Sequence, residues 1–166
     1  MKILIYILSV FAFILNTSDV NSQWVETGKP PVIIYSVEVK DNLIFVGTPM
    51  GVFRSLDLGK NWSPINIGVQ NLYITSFAIN NFTIIAGTRE QGMFRSTDNG
   101  DTWLNSNKGI SFNNINDIAI SGQDIFVSAG TNLYVSSDNA ENWNVVPGIS
   151  EVKSLLAKNS VLYASG

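Results

Sequence analysis

Apolar positions in this chain fall in short runs broken by Gly, Asn and Asp. In one representative stretch, ITSFAIN (74–80) alternates apolar and polar residues, and FTIIAGT (82–88) is a β-branched apolar run. GMFRS (92–96) follows, then the polar run STDNGDTW (96–103), with a further strand opening at Trp103. Short β-branched and aromatic runs with this punctuation predict antiparallel strands joined by tight turns. Beyond the N-terminal apolar segment no stretch keeps a 3.6-residue apolar period, so helical solenoids are not expected.

The polar run recurs. SLDLGKNW (55–62), STDNGDTW (96–103) and SSDNAENW (136–143) place their serines 41 and 40 residues apart. The flanks repeat too: IFVGTPMGVFRS, IIAGTREQGMFRS and IFVSAGTNLYVS lead into the three copies. A period of about 40–45 residues is the length of a four-stranded propeller blade. The tryptophans at 24, 62, 103 and 143 set units of 24–61, 62–102, 103–142 and a truncated 143–166. On this alignment Gly166 matches Gly47, Gly87 and Gly130, so the last unit stops before its third strand and its turn.

The first 22 residues, MKILIYILSVFAFILNTSDVNS, carry Lys2, an apolar run from Ile3 to Leu15 and a small residue at Ser22. That is the layout of a secretory signal peptide. The apolar run is shorter than the roughly 20 residues of a spanning helix. We therefore expect cleavage before Gln23, no stable membrane span afterwards, and a secreted, periplasmic or cell-surface domain over 23–166.

Charge and composition narrow the chemistry. The chain is 45% hydrophobic with a formal charge of −3, which suits a globular protein and offers no basic footprint for nucleic acid. It contains no Cys and no His, which removes disulfides, thiol nucleophiles, His- or Cys-ligated zinc and Ser-His-Asp triads.

The S-x-D-x-G-x-x-W pattern resembles the Asp-box, or bacterial neuraminidase repeat, with three copies in register over nearly all of 23–166. The resemblance implies an all-β fold, a β-propeller of four-stranded antiparallel blades, with about three and a half blades present. A closed propeller has about 4–8 blades, so the chain reads as the N-terminal part of a longer protein. The resemblance also places each box on the hairpin between a blade's third and fourth strands. There Asp57, Asp98 and Asp138 would accept turn N–H groups, and Ser55, Ser96 and Ser136 would bond across the turn. Gly59 and Gly100 would supply positive φ, and Trp62, Trp103 and Trp143 would plug the space between neighbouring sheets. Ala140 stands where a glycine belongs, so either that turn is strained or the glycine is a preference. DNGD (98–101) has the look of a calcium loop, but Lys60 and Glu141 replace Asp101 in the other copies and no closing Glu follows. A structural turn is the better reading, and no metal or cofactor is expected.

Asp-box repeats occur in sialidases, other glycoside hydrolases, sortilin-type receptors and photosystem II assembly factors. A sialidase would need an arginine triad, a tyrosine nucleophile with a glutamate partner, and an acid/base aspartate. Here there is no Arg-Ile-Pro motif, and the arginines are Arg54, Arg89 and Arg95 alone. Arg54 and Arg95 share one repeat position, held by Val135 in the third unit, which points to a repeat feature beside the turn. Arg89 and Glu90 read as solvated loop charges, and Tyr35, Tyr73, Tyr134 and Tyr163 as strand aromatics. Asp117 and Asp124 are candidate catalytic carboxylates only in that they fall outside the boxes. No catalytic residue is assigned.

We expect an exported, non-catalytic binding or scaffold module. Its carbohydrate or protein ligand would sit on the face opposite the boxes, formed by loops 27–31, 65–71, 105–114, 48–51, 88–92 and 130–132. The alternatives are the N-terminal part of a sialidase-like or other glycoside hydrolase, and a photosystem II assembly factor-like propeller.

Overall fold

The computed structural model describes residues 5–8, 11–14, 33–65, 72–80 and 83–166. Strands β1 (Ile5–Leu8) and β2 (Phe11–Ile14) pair as an antiparallel hairpin. The rest of the expected signal segment, Trp24, and loops 27–31 and 66–71 lie outside the described residues.

Three four-stranded antiparallel sheets follow, each a meander in sequence order. The first contains β3 (Ser36–Lys40), β4 (Leu43–Thr48), β5 (Gly51–Ser55) and β6 (Ser63–Ile65). The second contains β7 (Ile74–Asn80), β8 (Thr83–Thr88), β9 (Met93–Ser96) and β10 (Leu104–Asn105). The third contains β11 (Ile115–Ser121), β12 (Asp124–Ala129), β13 (Asn132–Ser136) and β14 (Asn144–Ser150). A fourth sheet holds β15 (Ser154–Lys158) and β16 (Val161–Ser165). Each complete sheet ends on the strand that follows a turn tryptophan, so one sheet draws on two of the sequence units.

The second strands explain the apolar runs. β8 is buried at every position and β4 at all but its first residue. A strand with a sheet packed on each face needs apolar residues throughout, not an alternation. The core accordingly lies between sheets. Phe45, Val52 and Ile65 of the first meet Leu72, Ile74, Phe77, Ile84 and Phe94 of the second, with Trp103 against them. Ile85 and Met93 of the second meet Ile115, Ile125, Val127, Tyr134 and Trp143 of the third. Leu133 of the third meets Val152 and Leu155 at the fourth.

The first strands are neighbours from sheet to sheet, β3 beside β7, β7 beside β11 and β11 beside β15. They align by register: Ser36 pairs with Gly47, Ser76 with Gly87, Asp117 with Ser128, and Ser154 with Ser165. This corrects the glycine alignment made from the sequence. Ser128 and Ser165, not Gly130 and Gly166, occupy the Gly47 position. Gly47 and Gly87 are seats for the next sheet, because a Cβ there would lie 2.5 Å from Cγ2 of Ile74 and of Ile115. Gly130 instead turns the loop tip at φ +58, beneath the ring of Phe112.

Asp117 bolts three first strands together. Its Oδ1 accepts from Ser76 Oγ (3.0 Å), and its Oδ2 accepts from Leu155 N (2.8 Å) and Ser154 Oγ (3.2 Å). Asp124 accepts from Ser137 Oγ within its own sheet.

Candidate functional site

The repeated turns lie between the third and fourth strands, at one end of the sheets. In the second turn Ser96 Oγ donates to Asp98 Oδ1 (2.7 Å) and accepts from Gly100 N (2.8 Å). Asp98 also takes Thr102 N (2.9 Å) and Thr102 Oγ1 (2.6 Å). The first turn repeats this with Ser55, Asp57, Gly59 and Asn61. The third does so with Ser136, Asp138, Ala140 and Asn142. The position before the tryptophan, Asn61, Thr102 or Asn142, went unremarked in the sequence; a donor side chain in all three copies was the signal. These bonds hold all three carboxyls down at about 2. The chief cause is the backbone N–H of Asn61 at Asp57, and the side chains of Thr102 and Asn142 at the other two.

Two successive residues in each turn are left-handed: Leu58 and Gly59, Asn99 and Gly100, Asn139 and Ala140. Ala140 adopts φ +64 and is fully buried, so the conformation is required and this turn carries the strain. Its methyl has room for a reason visible in the register. A Cβ on Gly100 would lie 2.7 Å from Ile65 Cδ1. Ile65 pairs with Val52 in the first sheet, and Ser106 stands opposite Met93 in the second, at the same place. The smaller Ser106 admits the alanine and donates to its carbonyl.

Trp103 packs between the first and second sheets, and Trp143 between the second and third. Trp62 and Trp103 are half-buried and donate to Gly59 O (3.1 Å) and Gly100 O (3.0 Å). Trp143 is buried and donates to Ser106 O of the preceding sheet (2.8 Å). Arg54 and Arg95 serve the same end of the molecule. Arg54 donates to Asn99 O and Asp101 Oδ1 of the next turn, both at 2.7 Å. Arg95 reaches Glu141 Oε1 at 3.0 Å. At the position that varied as Lys60, Asp101 and Glu141, the two acids are therefore docking points for the preceding sheet's arginine. The carboxylates of DNGD are spent inside the protein.

A cavity of 390 Å³ opens at the other end, lined by Tyr35, Tyr73, Thr75, Arg89, Asn114, Ile115, Asn116 and Lys153. Each sheet contributes the residue just before its aligned Ser or Asp: Tyr35, Thr75, Asn116 and Lys153. Thr75 Oγ1 donates to Ile115 O (2.8 Å) and Asn116 Nδ2 to Val152 O (3.2 Å), so each ties its sheet to the next. The rings of Tyr35 and Tyr73 lie 4.8 Å apart at 39°, and the Tyr73 hydroxyl donates to that of Tyr35. That bond raises the pKa of Tyr35 above the ordinary phenol value. The Arg89 guanidinium sits over the Tyr73 ring, 5.4 Å from its centroid. An adjoining 270 Å³ hollow, lined by Pro49, Thr88, Glu90 and Gln91, shares Tyr73 and Arg89.

The sequence placed a ligand face at this end, and Arg89 and Asn114 fall in the loops assigned to it. It treated Tyr35 and Tyr73 as packing aromatics and Arg89 as an idle charge, and the three in fact form one wall. Tyr134, fully buried, does pack as expected.

Solved structures match this arrangement. The extracellular domain of the putative hybrid two component system BT4673 from B. thetaiotaomicron aligns with 98% of the chain at TM-score 0.74 and 17% identity. An ancestral GH74 enzyme, AFV00434, covers 85% at TM-score 0.65 and 23% identity, and the computationally designed Ika4 protein covers 84% at 0.64 and 12%. The fold is a β-propeller. Three blades and part of a fourth are described, and the chain spans 24% of the BT4673 domain, 23% of the GH74 enzyme and 88% of Ika4. No family model and no curated protein matches the sequence.

Proposed function

We propose that the chain is an exported, non-catalytic binding module of the Asp-box propeller type, and that it binds a saccharide in the cavity at the heads of the first strands. The observation that carries this is the convergence of four blades on one hollow lined by two tyrosines, two asparagines, a threonine and two cations. Aromatic faces flanked by amides suit a ring that is apolar on one face and hydroxylated at its rim. The Asp-box assignment is supported by the three hydrogen-bonded turns, and export by the layout of residues 1–22. Against catalysis, Asp117 is committed to three strands. The three arginines do not converge either, since Arg54 and Arg95 serve the turn end and Arg89 the cavity. GH74 enzymes share the fold alone.

The test is a glycan array probed with the full chain and with Tyr73→Ala. Saccharide binding that disappears in the variant, at unchanged melting temperature, supports the module. Release of reducing ends from any bound glycan would make it a hydrolase.

A further inference from the structure

The cavity has a charge that the saccharide reading leaves unused. Arg89 comes from the second blade and Lys153 from the fourth, and its lining includes no carboxylate. This stands out in a chain whose formal charge is −3. Among the described residues the side-chain ion pairs are Arg54–Asp101 and Arg95–Glu141, so neither cavity cation is neutralised by one. Glu90, Asp117 and Glu151 do not line it, although Glu90 shares the adjoining hollow with Arg89. Asp117 is bonded to Ser76, Ser154 and Leu155.

We propose that the cavity selects saccharides bearing an anionic group, a carboxylate or a sulfate ester; this rests on the saccharide reading above. The Arg89 guanidinium lies over the Tyr73 ring, and its N–H donors, which bond to no described residue, remain for a two-oxygen acceptor. Lys153 supplies a second, point-like charge from across the blades. Asn116 spends its Nδ2 on Gly130 O and Val152 O, which leaves its Oδ1 to accept a sugar hydroxyl. The Tyr35–Tyr73 pair provides the surface on which the ring lies. The volume, 390 Å³, falls within the range of small-molecule sites.

The experiment compares oligosaccharides that carry a uronate, the same compounds as methyl esters, sulfated analogues and neutral ones, with the full chain and with Arg89→Gln and Lys153→Gln. Both residues are exposed, so the variants should keep the parent melting temperature. Acidic ligands should bind at least tenfold more tightly than their esters, and each variant should weaken them about tenfold. Raising salt from about 0.05 to about 0.5 M should narrow the difference. The uronate and sulfate arms identify which anion is read.

Equal binding of acids and esters, or variants without effect, would overturn charge selection while leaving the saccharide module standing. Competition by acetate or sulfate as strong as by the acidic oligosaccharide would reduce the cavity to a plain anion site. No binding by any glycan would overturn both proposals.

Discussion

Exchanging the two solutions to the turn contact, Ile65 with Gly100 and Ser106 with Ala140, tests whether they are matched pairs. Gly100→Ala places a Cβ 2.7 Å from Ile65 Cδ1 at a residue whose φ is +89. The left-handed conformation costs an alanine about 1–2 kcal/mol. The clash adds about 1 kcal/mol, at the low end for overpacking because Cδ1 ends a flexible side chain. The unfolded chain returns about 0.5–1 kcal/mol in lost glycine entropy. The net loss is about 1–2.5 kcal/mol, and each kcal/mol lowers Tm by about 2–4 °C for a domain of this size. Ile65→Ser costs stability on its own, since it removes a branched side chain from the core between the first two blades. In the double variant the clash is gone and the serine has the carbonyl of residue 100 as acceptor, as Ser106 has that of Ala140. The double variant should therefore be more stable than the sum of the singles by about 1 kcal/mol. Urea melts followed by tryptophan fluorescence measure all four proteins. Additivity within about 0.3–0.5 kcal/mol would refute the matched-pair account.

Trp143→Ala should cost about 3–5 kcal/mol, because the indole is buried and its N–H is satisfied by the preceding blade; Trp103→Ala, half-buried, should cost less in the same denaturant melts. Acid should unfold the protein through its turns. The three turn aspartates sit at about 2 when folded and near 3.9 when unfolded, so their contribution is complete above about pH 4 and is lost as pH falls toward 2. Asp98→Asn should flatten the fall in Tm over that window. Glu38 runs the other way. Burial raises its carboxyl to about 7, so the fold is most secure while it is protonated and weakens as pH rises from about 4.5 through 7. Thermal melts should find Glu38→Gln more stable than the parent by about 1–3 kcal/mol at pH 8 and nearly equal at pH 4.

The blades were legible because each repeats chemistry with no substitute. A serine, an aspartate and a tryptophan are needed in every turn, and second strands buried on both faces read as apolar runs. The register was harder to see. The third blade moves its glycine two residues along, to Gly130, and puts Ser128 in the seat, so matching on glycine shifts the pairing. The arginine contacts were half legible. Arg54 and Arg95 stood out as a repeat, but their partners Asp101 and Glu141 lie a full unit further on and look like random variation in a turn. The cavity was the least legible. Tyr35, Thr75, Asn116 and Lys153 share a place without sharing chemistry, and only the Ile or Val before and the Ser or Asp after mark them as equivalent.

The arginine contacts also point one way along the chain. Arg54 is held by the turn that follows it, and Arg95 by the one after that. During synthesis, then, neither the first nor the second blade completes its arginine bond until its successor has been made and folded. Blades emerge in order, and the newest is always the least secured. Val135 gives the third blade no arginine to extend, so that blade does not wait on its successor for this bond.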